Sequence, residues 1–152
     1  LLEPLAADAA DVVLGCRYHA GASGYTVGAV RRLGHRLFSA ILLVLSGRRF
    51  QDPTSGFQAL NRRALELFSS GVFPCDYPDS DVILMALMAG LRVKEVPVQM
   101  KPRQGGQSMH SGLKPLYYGM KMLLSIFIVM LNVHAWRRWW KQHPRQATPE
   151  RS

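Results

Sequence analysis

Apolar residues recur along this 152-residue chain in more than one period, and each period predicts a different kind of element. Residues 11–14 form a short β-branched run stopped by Gly15, the pattern of a buried strand in a parallel sheet. From about residue 30 to residue 45, Val30, Leu33, Leu37, Ile41 and Val44 or Leu45 recur at helical spacing. Arg31, Arg32, His35 and Arg36 crowd the first half of that stretch, so it reads as an amphipathic helix with a cationic end. A short strand around residues 57–60 and a helix over about 62–69 follow. Pro78, Asp79, Ser80 and Asp81 then precede VILMALMAG, a helix start whose acids favour the positive end of the dipole. Residues 92–100 alternate as RVKEVPVQM, a strand that Pro97 confines to an edge or an irregular position. The last candidate is one long helix over about 113–140. Strands alternating with helices make the fold class α/β.

The long candidate helix changes the picture. Its centre, MLLSIFIVMLNV, is nearly uncharged, yet the apolar segment 122–136 falls short of the roughly twenty residues that span a bilayer. Lys121 can snorkel and extend it. Trp136, Trp139 and Trp140 interleave with Arg137, Arg138 and Lys141 in an aromatic and cationic belt suited to a headgroup zone. A monotopic or shallow juxtamembrane helix on the cytoplasmic face of the cell membrane is therefore expected, ahead of a true span or a soluble-core helix. The run LFSAILLVL in the first amphipathic helix is apolar on more than one face and adds to the expected membrane contact.

Charge supports the same expectation. The formal net charge is +9, and residues 101–152 carry nine Lys and Arg against one acid. A basic tail behind an apolar helix suits anionic lipid, while the residues beyond Pro144 read as a solubilising terminus. A nucleic-acid partner is not expected, because outside the Trp belt no aromatics interleave with Lys and Arg and no reading helix is recognisable. Cys16 and Cys75 stand in no Cys-x-x-Cys or Cys/His cluster and read as buried free thiols of a reducing compartment.

Candidate chemistry gathers in two loops. Asp52 is followed by Pro53, Thr54, Ser55 and Gly56, a turn-forming run expected to hold the carboxylate at a loop tip instead of burying it. There it can act as a general base toward an alcohol, balance charge beside an acceptor already anionic, or cap the amides of Ser55 or Gly56. Arg103 with Gly105, Gly106 and Ser108 offers a charged fork beside backbone that can approach a phosphate closely. Arg17 directly follows the first strand, where ligands collect in open α/β sheets, and is placed to meet an anion or to form a surface ion pair. Asp79 and Asp81 are accounted for by capping alone.

The stretches DVVLGCRY, VRRLGHRLFS, QDPTSGFQALNRRAL and YPDSDVILMALMAGLRVKEVPVQMKPRQGGQSMH, with the apolar segment after Leu116, resemble in order the C-terminal part of family 2 glycosyltransferases of the polyprenyl-phosphate (dolichol-phosphate mannosyltransferase-like) group. The resemblance covers nearly all but the last dozen residues. It implies an incomplete GT-A (Rossmann-like) nucleotide-diphospho-sugar transferase domain over 1–112, a membrane-associated helix over 113–141 and a disordered basic tail over 142–152.

By the same resemblance, Arg17 faces donor or lipid phosphate, Arg31 lies near the lipid phosphate with Arg32 or Arg36 able to serve instead, and Asp79 or Asp81 near the acceptor is a second catalytic candidate beside Asp52, as base or metal-side partner. The segment of Arg103, Gly105, Gly106 and Ser108 closes over both substrates. The parent enzyme is expected to transfer a hexose, with inversion, from a nucleotide-diphosphate sugar to a polyprenyl phosphate or similar lipid acceptor. A divalent metal, Mg or Mn, is expected on an Asp-x-Asp motif in the family's N-terminal half. Asp79 and Asp81 have that spacing but stand at a helix start far downstream, so no metal ligand is expected in this chain. The chain is accordingly expected to be a fragment that is inactive alone. The alternative is a non-catalytic module that binds anionic lipid at a membrane surface.

Overall fold

A computed structural model of the chain describes residues 1–18, 29–69, 80–99 and 114–142. The elements run α1 (Leu2–Ala6), β1 (Val12–Cys16), α2 (Ala29–Ser46), β2 (Gln58–Leu60), α3 (Arg62–Phe68), α4 (Ser80–Met88), β3 (Val93–Pro97), α5 (Lys114–Leu131) and α6 (Val133–Gln142). The fold is mixed α/β. The sheet has the order β2-β1-β3, with β1 antiparallel to β2 and parallel to β3.

Burial explains why β1 takes the centre. Val12, Val13, Leu14, Gly15 and Cys16 are all buried, and a strand with no polar face needs a neighbour on each edge and cover on each side. The side chain missing at Gly15 permits that cover. A Cβ there would stand 2.7 Å from Phe57 Cδ1 and 3.0 Å from Val98 Cγ1, so the residues flanking both neighbouring strands close over bare backbone. The Gly15 N–H donates to the Phe57 carbonyl at 2.8 Å, and the Val98 N–H donates to the Cys16 carbonyl at 3.0 Å, extending both ladders. Pro97 ends β3, which pairs only with β1 among the described residues; the edge position expected for this proline is the one found.

Helix α4 is the hub of the helical layer. Residues Ser80 through Ala86 are all buried, as an apolar stretch without a polar face requires. Leu84 and Met85 join Leu14 of β1, Phe38 and Leu42 of α2, and Ile126 and Val129 of α5 in one core cluster. Residues in the centre of the expected membrane-associated helix therefore contribute one face of α5 to the core. The opposite face, with Met120, Leu124, Phe127 and Leu131, is exposed.

The long helix expected over about 113–140 is two helices. The Asn132 N–H is shared between the carbonyls of Ile128 and Val129, and its side-chain amide donates to the Ile128 carbonyl at 2.9 Å. A short amide that competes for helix carbonyls favours a break, and α6 restarts at Val133. Among the described residues no helix is long and apolar enough to cross a membrane.

The N-terminal end of β1 is tied by a buried acid. Asp11 accepts from the Arg92 N–H at 2.7 Å and from Asn61 Nδ2 at 2.9 Å, while Arg92 also reaches Asp8. Asn61 in turn caps α3 through the Ala64 N–H. Burial alone pushes the Asp11 carboxyl up, but the hydrogen bonds from Arg92 and Asn61 outweigh it and hold the group below its ordinary value. Asp11→Ala strips the acceptor from Arg92 and Asn61 at once. Urea denaturation is expected to show a loss of about 2–3 kcal/mol, while Glu66→Ala on the exposed face of α3 stays within about 0.5 kcal/mol.

Candidate functional site

The C-terminal end of β1 carries a second polar cluster, built around a carboxylate with no solvent. Asp52 is 0% exposed, where a loop tip had been expected. The turn after it forms without the side chain: the Ser55 N–H donates to the Asp52 main-chain carbonyl at 3.2 Å. Pro53 is buried with Asp52, and the Pro53 carbonyl accepts from the Ser80 hydroxyl at 3.0 Å. Ser55 Oγ donates to the Gly15 carbonyl at 2.6 Å. The small residues that make the run turn-forming thus also let it pack between β1 and the start of α4, and this carries the carboxylate inward.

Arg17 makes that burial tolerable. Its backbone N–H reaches Asp52 Oδ2 at 2.9 Å, Nε reaches the same oxygen at 2.7 Å, and Nη2 reaches Oδ1 at 2.8 Å. Nη2 also touches Thr54 through its carbonyl and its hydroxyl. The fork geometry is the bidentate one in which guanidinium and carboxylate pair most strongly. The side chain of Arg17 remains 18% exposed, so the cation is fixed from behind and reachable from outside.

Two further residues complete the cluster. Glu95 on β3 accepts from the Gln51 N–H at 2.8 Å and from the Asp52 N–H at 2.7 Å, clamping the loop backbone to the edge strand. Burial pushes its carboxyl above the ordinary value, the Gln51 and Asp52 amides pull it down, and the Asp52 charge raises it again. A cavity of about 250 Å³ bounded by Arg48, Arg49, Phe50 and Val93 opens beside Glu95.

From α2, His35 packs edge-on against the Tyr18 ring at 4.6 Å and places Nε2 3.8 Å from Asp52 Oδ1. That nitrogen is buried and makes no hydrogen bond. Burial lowers the His35 pKa, the Asp52 charge opposes the shift, and the Arg17 charge reinforces it. Cys16 is a buried free thiol whose pKa burial raises.

Among the residues expected from sequence, the structure brings Arg17 and Asp52 into direct contact. Asp81 is one residue beyond the Ser80–Pro53 link but turns away, accepting from the Val82 N–H and from Ser125 on α5. Arg31 stands in the first turn of α2, four positions ahead of His35, and its side chain lies outside what the structure describes. Asp79, Arg103, Gly105, Gly106, Ser108 and Cys75 lie outside the described residues. Trp136, Trp139 and Trp140 fall within α6 without described side chains, and Arg137 and Arg138 are exposed there.

Exposed apolar side chains are described on other helices. Leu33, Leu37 and Val44 are exposed on α2, as are Tyr117, Met120, Leu124, Phe127 and Leu131 on α5. Arg32 and Arg36 are exposed on the same stretch of α2. Among the described residues no group of three or more His, Cys, Asp and Glu stands together as a metal site.

Glu95 and His35 were not among the residues singled out for function. A signal existed for Glu95, which shares the inward face of β3 with buried Val93 at the period of two. For His35 the signal was its spacing of one helical turn from Arg31. Comparison with protein-family models, with characterised proteins and with solved structures returns no match.

The two shifted groups act on stability in opposite directions. Because folding lowers the His35 pKa, the unfolded chain binds that proton first, and the fold loses stability as pH falls below about 6.5. Folding raises the Glu95 pKa, so its contribution is fully present below about 4.5 and is lost as pH rises through the folded value. Between pH 8 and pH 5 the change in melting temperature is expected to be less downward for His35→Gln than for the parent chain, because only the parent loses the His35 contribution.

Proposed function

We propose that this chain is the acceptor-facing portion of a GT-A-type, family 2 glycosyltransferase. Its parent would move a hexose from a nucleotide-diphosphate sugar to a polyprenyl phosphate at a membrane surface. The observation that carries the reading is the Arg17–Asp52 pair. A guanidinium held in place by a fully buried carboxylate, at the C-terminal end of the central strand, is preorganised to receive a phosphate. In this reading Arg17 contacts phosphate, with Arg31 and the segment of Arg103, Gly105, Gly106 and Ser108 as its partners.

Asp52 orients Arg17 and takes no proton from substrate, because Arg17 occupies both of its oxygens. A phosphate acceptor is already anionic near neutral pH and needs no base. Asp81, turned toward Ser125, ties α4 to α5, and Asp79 remains the acid proposed near the acceptor. The divalent metal, Mg or Mn, is assigned to residues outside this chain, and no step is derived through it.

The exposed apolar stripes of α2 and α5, with Arg32, Arg36, Arg137 and Arg138 nearby in the sequence, support a bilayer-facing side at the cytoplasmic leaflet. The same stripes favour a second reading, an anionic-lipid-binding module that turns nothing over.

The deciding experiment is transfer of radiolabelled hexose from nucleotide sugars to polyprenyl phosphate, by this chain and by a version extended with the upstream half of a GT-A domain. Transfer is expected from the extended version, lowered at least about a hundredfold by Arg17→Ala. No transfer by the extended version, with lipid binding intact, selects the module. In flotation with vesicles containing anionic lipid, Leu124→Ser combined with Phe127→Ser is expected to cut the bound fraction severalfold without lowering the melting temperature, because both side chains already face solvent.

A further inference from the structure

His35 does not fit a purely structural role. Its side chain is only 17% exposed and its Nε2 is buried without a hydrogen bond, beside a carboxylate oxygen too far to bond at 3.8 Å. A buried polar atom without a partner is destabilising, and such atoms in native folds call for a reason. The surrounding charges supply one. Asp52 faces His35 from the loop, Arg17 and Tyr18 face it from the end of β1, and a backbone hydrogen bond at Gln51 favours the charged ring. Arg32 and Arg36 on its own helix are exposed. Glu95 lies behind Asp52, on the far side of the loop backbone that it clamps.

With Arg17 on Asp52, the carboxylate is already neutralised and the imidazole gains little by taking a proton. When an incoming phosphate shares the Arg17 fork from its exposed side, less of that charge is left for Asp52, and a buried anion so weakened is costly unless another cation supplements it. His35 is the titratable group placed to do so.

We propose that His35 is a positioning residue that takes up a proton from solvent when phosphate shares Arg17 with Asp52, so that phosphate binding here is proton-coupled. This rests on the reading of Arg17 as a phosphate-binding residue. The ligand chemistry is a phosphate or diphosphate dianion, whether the headgroup of a polyprenyl phosphate or the diphosphate of a nucleotide sugar. The exchange balances: one proton moves from solvent to His35 Nε2, and the ligand charge is met by Arg17. Proton uptake offsets the weakened Arg17–Asp52 attraction and makes affinity rise as pH falls.

The test uses the whole chain with two separate probes, inorganic pyrophosphate and farnesyl phosphate in detergent. Calorimetric titrations in buffers of different ionisation enthalpy read the protons taken up per ligand bound. Nitrogen-15 imidazole spectra of the same samples read the His35 protonation directly. Expected are net uptake at pH 7 and a His35 pKa raised by at least about one unit at saturation, equivalent to a tenfold preference of ligand for the protonated form. The ligand's own titration is separated by His35→Gln, which is expected to bind each probe with the uptake at His35 removed.

Uptake with farnesyl phosphate alone assigns the lipid headgroup, and uptake with pyrophosphate alone assigns the donor diphosphate. Binding of either probe with an unchanged His35 resonance overturns this inference and leaves the phosphate reading of Arg17 standing. No binding of either probe overturns both. Because the spectra are taken on the unaltered chain, the outcome does not depend on how well the variant folds.

Discussion

A buried carboxylate sets the terms for one end of this molecule. An ionised acid withdrawn from water is unfavourable by several kcal/mol unless charge and hydrogen bonds replace its hydration. Asp52 finds both in Arg17, which approaches with its backbone N–H and with two guanidinium nitrogens. That demand fixes the geometry around it. Arg17 must leave β1 in one direction, the loop must enter between β1 and α4, and Glu95 must grip the loop amides from the edge strand. The opposite end of β1 repeats the device with Asp11, Arg92 and Asn61, so the central strand is pinned at both ends by acids that apolar packing alone would not tolerate.

The two ends differ in what surrounds the pair. At Asp11 the acid is met by Arg92 and Asn61 and held below its usual pKa, the signature of a finished structural lock. At Asp52 a second acid and a neutral imidazole crowd the same space, and the imidazole carries a nitrogen with nothing bound to it. Competing charges around a reachable cation mark a place where a ligand has something to change.

Much of the architecture was legible in the periodicities because one physical cause dominated each stretch. The continuous apolar run of β1, the helical spacing of α2 and the proline in β3 each admit few alternatives, and the structure places all three accordingly. The long C-terminal helix was less legible. Its hydrophobicity is nearly uninterrupted, and the break depends on one amide, Asn132, competing for the Ile128 carbonyl. The same uninterrupted hydrophobicity hid the division of labour on α5, whose Ile126 and Val129 enter the core while Phe127 and Leu131 do not. Asp52 was legible as a turn residue and misjudged as an exposed one, because turn propensity is local whereas burial was decided by Arg17, 35 positions away. His35 and Glu95 were hidden for the same reason: their partners are remote in sequence.

The vacant side-chain position at Gly15 ties the evolution of three strands together. Phe57 and Val98 occupy the volume that a methyl group at residue 15 would require. A descendant that acquires even alanine there must shrink or swing a neighbour in the same generation or lose the closure of the sheet. Substitutions at 15, 57 and 98 are therefore expected to travel as a linked set, so that a chain without glycine at 15 announces a remodelled sheet before any coordinate is known.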